Sequence, residues 1–198
     1  MLKLTSERVL ELFENNEDIL VVWKCEKERN KIIYSDAVPL GFEAIVNTTN
    51  NEPLYYHENN RMELRDVSNI ADLWFVKVQI TCVPWGVADI LYTDRVHGHE
   101  KKFGVSGEFD FEVKNSRGLV ENFNEAKQVT AIKIKNDLLP KMRIEVDPIL
   151  SRHASEQGFD RIDKNRCANE IKGRLLNLFR DEYSLHLNRF TIDEMIEN

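Results

Sequence analysis

The twelve residues Lys102-Phe103-Gly104-Val105-Ser106-Gly107-Glu108-Phe109-Asp110-Phe111-Glu112-Val113 alternate without a break. Phe103, Val105, Gly107, Phe109, Phe111 and Val113 fall on one side. Lys102, Gly104, Ser106, Glu108, Asp110 and Glu112 fall on the other. Successive side chains of a strand point to opposite faces, so strict period two predicts an antiparallel strand with one face on a core and one in water. Upstream, Ile19–Trp23, Lys31–Tyr34, Glu43–Val46, Leu73–Ile80 and Ile90–Tyr92 are short β-branched or aromatic runs between turn formers. Five or six such strands joined by short turns predict one antiparallel sheet over 19–113, a meander or partly open barrel.

After Asn115 the period changes to that of a helix. Leu119, Val120 and Phe123 suggest one or two turns, and Met142, Val146, Ile149 and Leu150 keep helical spacing until Pro148 interrupts them. Proline suits the first turn of a helix, so a new helix is predicted there, with Asp147 as its cap and Gly158 closing it. The strongest helix runs from about Asp163 to Tyr183, with Ala168, Ile171, Leu175, Leu178 and Phe179 inward, and a closing strand follows over Leu185–Ile192. Near the N-terminus Thr5 or Ser6 can cap a short helix presenting Val9, Leu12 and Phe13. Its outer face of Glu7, Glu11 and Glu14 favours packing on its own domain over an anionic membrane surface. The fold class expected is α+β: an antiparallel meander or partly open barrel, then helices and a closing strand. The segments are an N-terminal helix over 1–18 and a domain over 19–198.

Composition narrows the function classes. The 198 residues are 42% hydrophobic, with ten Phe and three Trp, which argues for a packed core. Lys and Arg total 27 against 34 acidic residues, a formal net charge of −7 that disfavours whole-protein attraction to nucleic acid or anionic lipid. The basic residues Lys24, Lys27, Arg29 and Lys31 alternate with Glu26 and Glu28, as on a solvated hairpin face rather than a nucleic-acid site. No apolar run approaches the roughly 20 residues of a transmembrane helix. The first eight residues lack the pattern of a signal peptide, and Leu2 excludes N-myristoylation. Cys25, Cys82 and Cys167 are too few and too scattered for a disulfide framework. The expectation is a soluble intracellular protein without a transmembrane anchor.

Motifs that carry chemistry are sparse. No glycine-rich loop follows a strand as a dinucleotide or phosphate site would require. Gly104-Val105-Ser106-Gly107 has a nucleophile-elbow outline, but it lies inside an alternating strand rather than at a strand-to-helix turn. His97-Gly98-His99, with Asp94 and Glu100 nearby, holds enough imidazole and carboxylate for zinc, yet Gly98 and its polar flanks are what a hairpin turn requires. The turn is the expectation, with no metal. His57 and His186 have no ligand-like neighbours, His153 reads as a helix-surface residue, and the cysteines read as small buried thiols. No catalytic residue, cofactor ligand or metal ligand is expected.

The order of segments carries more than any motif. Leu73-Trp74-Phe75-Val76-Lys77-Val78, then Pro84-Trp85-Gly86, Thr93-Asp94 and Lys102 to Phe111 resemble the SPFH (stomatin, prohibitin, flotillin) or Band 7 family. The likeness is to its bacterial virion-core-protein-like branch. Val38-Pro39-Leu40-Gly41-Phe42-Glu43-Ala44-Ile45-Val46 is similar to the segment before that family's early hairpin. Tyr183-Ser184-Leu185-His186-Leu187-Asn188-Arg189-Phe190-Thr191-Ile192 resembles its closing Tyr-Gly-Leu strand, with Ser184 in place of glycine. The family's Gly-Pro-Gly-x-Tyr segment is missing near Asn51-Glu52-Pro53-Leu54-Tyr55. The resemblance implies a non-enzymatic scaffold or adaptor. It would associate with itself, more strongly with a downstream helix, and would organise membrane-associated complexes through a membrane-protein partner. It also implies a cytoplasmic location or a peripheral one at the inner face of the membrane. The helix near 163–183 leaves a charged outer face, so monomers or weak dimers are expected. The alternatives are a metal-dependent hydrolase using the His97/His99 region and a soluble ligand-binding β-barrel.

Overall fold

The computed structural model describes residues 2–15, 18–25, 32–49, 52–64 and 70–198. In chain order the elements are β1 (Leu2–Leu4), α1 (Ser6–Glu14), β2 (Leu20–Cys25), β3 (Ile32–Ala37), β4 (Phe42–Thr48), β5 (Leu54–Tyr56), β6 (Arg61–Leu64), β7 (Ile70–Lys77), β8 (Thr81–Thr93) and β9 (Glu100–Val113). There follow α2 (Ser116–Asn122), β10 (Gln128–Thr130), α3 (Ala131–Gln157), α4 (Lys164–Asn177), a π-helical segment Leu178–Glu182, β11 (Leu185–Phe190) and β12 (Glu194–Glu197). The fold is α+β, a meander followed by helices and a closing strand, and among the described residues no barrel closes.

Contacts divide the chain into two compact units. The first is 1–79 with 113–133, and the second is 80–112 with 134–198. The expected single sheet over 19–113 is therefore corrected. Its strands are shared among separate sheets, and the β8–β9 hairpin belongs with the C-terminal elements. Helix α1 falls inside the first unit.

In the first unit a five-stranded sheet runs β10-β2-β7-β4-β5, and a second sheet runs β1-β3-β6, its β1–β3 pair parallel. Thr5 caps α1 by accepting from the Arg8 amide. This turns Val9 into a core shared by Tyr34, Phe42, Val46, Met62, Leu73 and Phe75, with Phe13 edge-on to Phe42 at 4.7 Å. Of the expected basic face, Lys24 pairs with Asp72 at 2.9 Å, while Lys27, Arg29 and Lys31 lie outside the described residues.

In the second unit β9 is the centre. It pairs with β8 along one edge and with β11 and β12 along the other. Phe103, Val105, Phe109 and Phe111 are buried as the period-two reading requires, and Phe109 meets Phe179 edge-on at 5.4 Å. Helix α4 starts on the Asp163 side chain, which accepts from the Arg166 amide, and buries Cys167, Ala168, Ile171 and Leu175.

The helix break expected at Pro148 is corrected. Helix α3 runs unbroken from Ala131 to Gln157 through Pro140 and Pro148. Both prolines are exposed, one i+4 step either side of Ile144. Proline removes a hydrogen bond and crowds the carbonyl of i−4, a strain that a helix relieves by bending, convex toward solvent. The buried residues Met142, Val146, Ile149 and Leu150 hold the other face down. Gly158 ends the helix at φ +88° as expected.

Candidate functional site

The tip of the β8–β9 hairpin is built by Asp94. Its carboxylate accepts from the Val96 amide at 2.9 Å, its carbonyl accepts from Gly98 at 2.7 Å, and its own amide donates to the His99 carbonyl at 2.9 Å. Gly98 sits at φ +68°, a conformation glycine adopts without steric cost. The His97-Gly98-His99 stretch is thus the turn that its composition suggested.

Around this turn the fold gathers a chain of polar groups. His97 Nδ1 lies 2.9 Å from Asp94 Oδ2, and Lys101 Nζ lies 3.2 Å from both Asp94 Oδ2 and Glu197 Oε1. The Tyr92 hydroxyl donates to Glu197. Phe159 stacks on Tyr92 at 6.1 Å and leans on Phe103 at 5.3 Å, which gives the group an aromatic floor. A cleft of about 570 Å³ opens here, rimmed also by Arg95, Glu156, Asp160 and Arg161.

The electrostatics follow from these contacts. His97, the Val96 amide and Lys101 hold the Asp94 carboxyl well below the usual range. Tyr92 and Lys101 lower Glu197, and Glu197 with Asp94 raises Lys101. Burial, then the bond to Glu197, pushes the Tyr92 phenol up to about 12. Asp94 orients His97 as the carboxylate of a hydrolytic triad would. Among the described residues, however, no hydroxyl or thiol is bonded to that imidazole, and no three His, Cys, Asp or Glu side chains are grouped as a metal site.

Three further clusters lie elsewhere. In the first unit Ser116 Oγ donates to Glu43 Oε2 at 2.5 Å, and His57 Nδ1 lies 2.8 Å from Glu43 Oε1. The residue types are those of a triad, but the carboxylate stands between serine and histidine, so the imidazole has no proton to take from the serine. In the second unit His153 is only 3% exposed, which corrects the surface reading. It lies between Glu170 at 3.1 Å and Gln157 at 3.0 Å, and Arg152 also grips Glu170. Arg189 binds Asp110 at 2.7 Å and Glu108 at 3.0 Å across the open face of the sheet.

Cys25 and Cys167 are buried as expected, but Cys82 is exposed, because it falls on the solvent side of β8. Partial desolvation and the neighbouring Asp110 and Glu108 carboxylates push the Cys82 thiol up to about 11, and burial pushes Cys167 up to about 11. Ser106 stays inside β9, its carbonyl accepting from Asp193. Gly107 is structural: a Cβ there would run into the Thr191 carbonyl, where the chain leaving β11 crosses β9. Trp85 Nε1 donates to that same carbonyl at 3.1 Å and stacks on Phe190 at 4.6 Å.

Sequence reasoning found the turn at 94–99 but missed Tyr92, Lys101 and Glu197, since Glu197 is 105 residues from Tyr92 and follows no motif. It likewise missed Glu43 with Ser116 and His153 with Glu170. The class defined so far is an α+β protein of open sheets with a charged cleft at one hairpin tip. No family model matches the chain, and no curated protein matches it. Among the described residues no helix is long and apolar enough to cross a membrane.

Proposed function

We propose that the protein is a non-enzymatic scaffold or adaptor domain of the SPFH type, acting by protein–protein contact. The observation that supports this reading is that the charged clusters are closed on themselves: Asp94 on His97 and Lys101, Glu170 on Arg152 and His153, and Asp110 on Arg189. Among the described residues each displaced group moves away from neutrality: Asp36, Asp94, Asp110, Glu170, Asp181 and Glu197 go down, while Tyr34, Tyr92, Cys82, Cys167, Lys101 and Lys141 go up. An acid, base or nucleophile at work near pH 7 is usually displaced toward it. Here each charged cluster is closed on itself, which serves rigidity rather than turnover. Among the described residues β5 and β10 are the outer strands of the five-stranded sheet, and edge strands can pair with another chain. The domain associates weakly with itself and reaches membranes through a membrane-protein partner, from the cytoplasm or the inner membrane face.

The second reading, a hydrolase, rests on the Asp94–His97 pair in its cleft. Two measurements separate the readings. Light scattering over a concentration series should show one to two chains growing with concentration, and elemental analysis should find no stoichiometric metal. Near-stoichiometric zinc that disappears in the double variant His97→Ala/His99→Ala, together with hydrolysis of ester or phosphoester probes, overturns the scaffold.

A further inference from the structure

The outer face of α3 in the second unit carries an apolar stripe. Pro140, Ile144 and Pro148 recur at i+4 and are all exposed, Ile144 at 71%. Beside it a groove of about 510 Å³ runs between α3 and α4 with its π-helical extension, lined by Ile144, Glu145, Arg174 and Leu178 among others. An exposed isoleucine between two prolines contributes nothing to α3 itself; β-branched and imino residues are poor helix formers, and no neighbouring element covers the side chain.

The ions around this stripe are largely paired already. Lys141 is bound to Glu182, Arg143 to Asp147 at 3.1 Å, and Arg180 to Asp181 at 2.7 Å. Two lining groups are left without a partner among the described residues: Glu145 on α3 and Arg174 on α4. They are opposite in sign, on opposite walls of one groove. Such a pair is what a self-complementary surface needs, because across a two-fold axis residue i meets j and j meets i. An anionic lipid surface would gain little here, because Lys141, Arg143, Arg174 and Arg180 are matched by Glu145, Asp147, Asp181 and Glu182. The prolines also keep the face pre-shaped, which lowers the ordering cost of association.

We propose that this face is where two copies of the chain meet. The two-fold axis lies near Ile144, the apolar stripes pack on each other, and Arg174 of each copy reaches Glu145 of the other. The inference rests on the self-association reading and names its surface. A patch centred on one isoleucine gives a weak dimer, which suits a domain whose larger assemblies are strengthened elsewhere.

Sedimentation equilibrium of the full chain over tens to hundreds of micromolar tests it. Ile144→Asp should weaken the dimer by about tenfold or more, as loss of a central apolar anchor does. Its far-ultraviolet circular dichroism and melting temperature should stay unchanged, since the side chain is exposed. Glu145→Arg and Arg174→Glu should each weaken it by about three- to tenfold, and the two together should restore it to within about twofold. A dimer indifferent to all these changes overturns this surface and leaves self-association standing. A chain monomeric at every concentration overturns both.

Discussion

At Gly107 the segment that leaves β11 crosses β9 with backbone against backbone, the Thr191 amide on the Glu108 carbonyl at 2.8 Å and the Trp85 indole on the Thr191 carbonyl. At Lys101, near the start of the same strand, the next stretch of that segment is tied by charge, through Glu197 to Lys101 and Tyr92. Both contacts hold the C-terminus to one hairpin. The first is buried, short-ranged and intolerant of a single added carbon. The second is exposed to water, screened by salt and reversible with pH. The difference teaches that a polar cluster in a cleft can be the looser of two fastenings rather than a reaction centre.

The largest effect should come from the packed end. Phe109→Ala removes a fully buried ring set against Phe179 and should cost about 3–5 kcal/mol in denaturant melts. Glu108→Ala, one residue away on the wet face, should stay within about 0.5 kcal/mol. Similar costs at the two positions would break the assignment of faces. Gly107→Ala comes next, at about 1–3 kcal/mol or more, because its Cβ meets backbone rather than a movable side chain. Hydrogen exchange should show Phe190–Ile192 losing protection in this variant while the 94–99 turn keeps its own.

Ser184 sharpens the contrast from the other side. It enters β11 at φ +58°, a left-handed conformation that glycine adopts freely and serine does not. Ser184→Gly should raise stability by about 0.5–1 kcal/mol, read as a higher melting temperature. A fall would mean that the serine hydroxyl contributes more than the backbone strain removes.

The smallest effects belong to the charged end, and they depend on pH. Asp94 and Glu197 titrate below their ordinary values of 3.8 and 4.5. Their contribution is therefore present above that range and is lost as pH falls through the lowered folded-state values. Relative to the intrinsic exchange rate at each pH, amide protection at 100–103 should fall on acidification while that at 107–111 barely changes. Tyr92 shifts the other way, from 10.0 up to about 12, so its contribution is present below pH 10 and lost as pH rises through 12. The difference between wild-type and Tyr92→Phe ultraviolet titrations should show this late phenol. Glu197→Gln should bring it only part of the way down, since burial is the larger cause. A complete return to 10 would make the carboxylate the dominant influence.

Much of the fold was legible. Period two between Phe103 and Val113 marked the central strand and its buried face, because alternation is a local consequence of the pleat. Thr5, Asp163 and Gly158 marked helix ends because caps act within one turn. Pro148 misled, because proline's preference for a first turn is a local rule, and the buried face of α3 outweighed it. His153 misled for a related reason: the polar partners that let it be buried, Glu170 and Gln157, lie on a different helix or a turn away. The charged cleft was half legible, its turn read from Asp94 and Gly98 but its partners supplied from the far end of the chain.

Local sequence was enough for the α+β order, the wet and dry faces of β9, the helix ends at Thr5, Asp163 and Gly158, and the hairpin turn at Asp94. Each depends on residues within a few positions of one another, where pleat, pitch and capping act. Only the tertiary structure decided which strands share a sheet, that α3 runs through its prolines, and that Glu197 closes on Lys101 and Tyr92. It also placed Thr191 against Gly107. These are contacts between distant segments, selected by packing and by pairing of charge, and no local period encodes them.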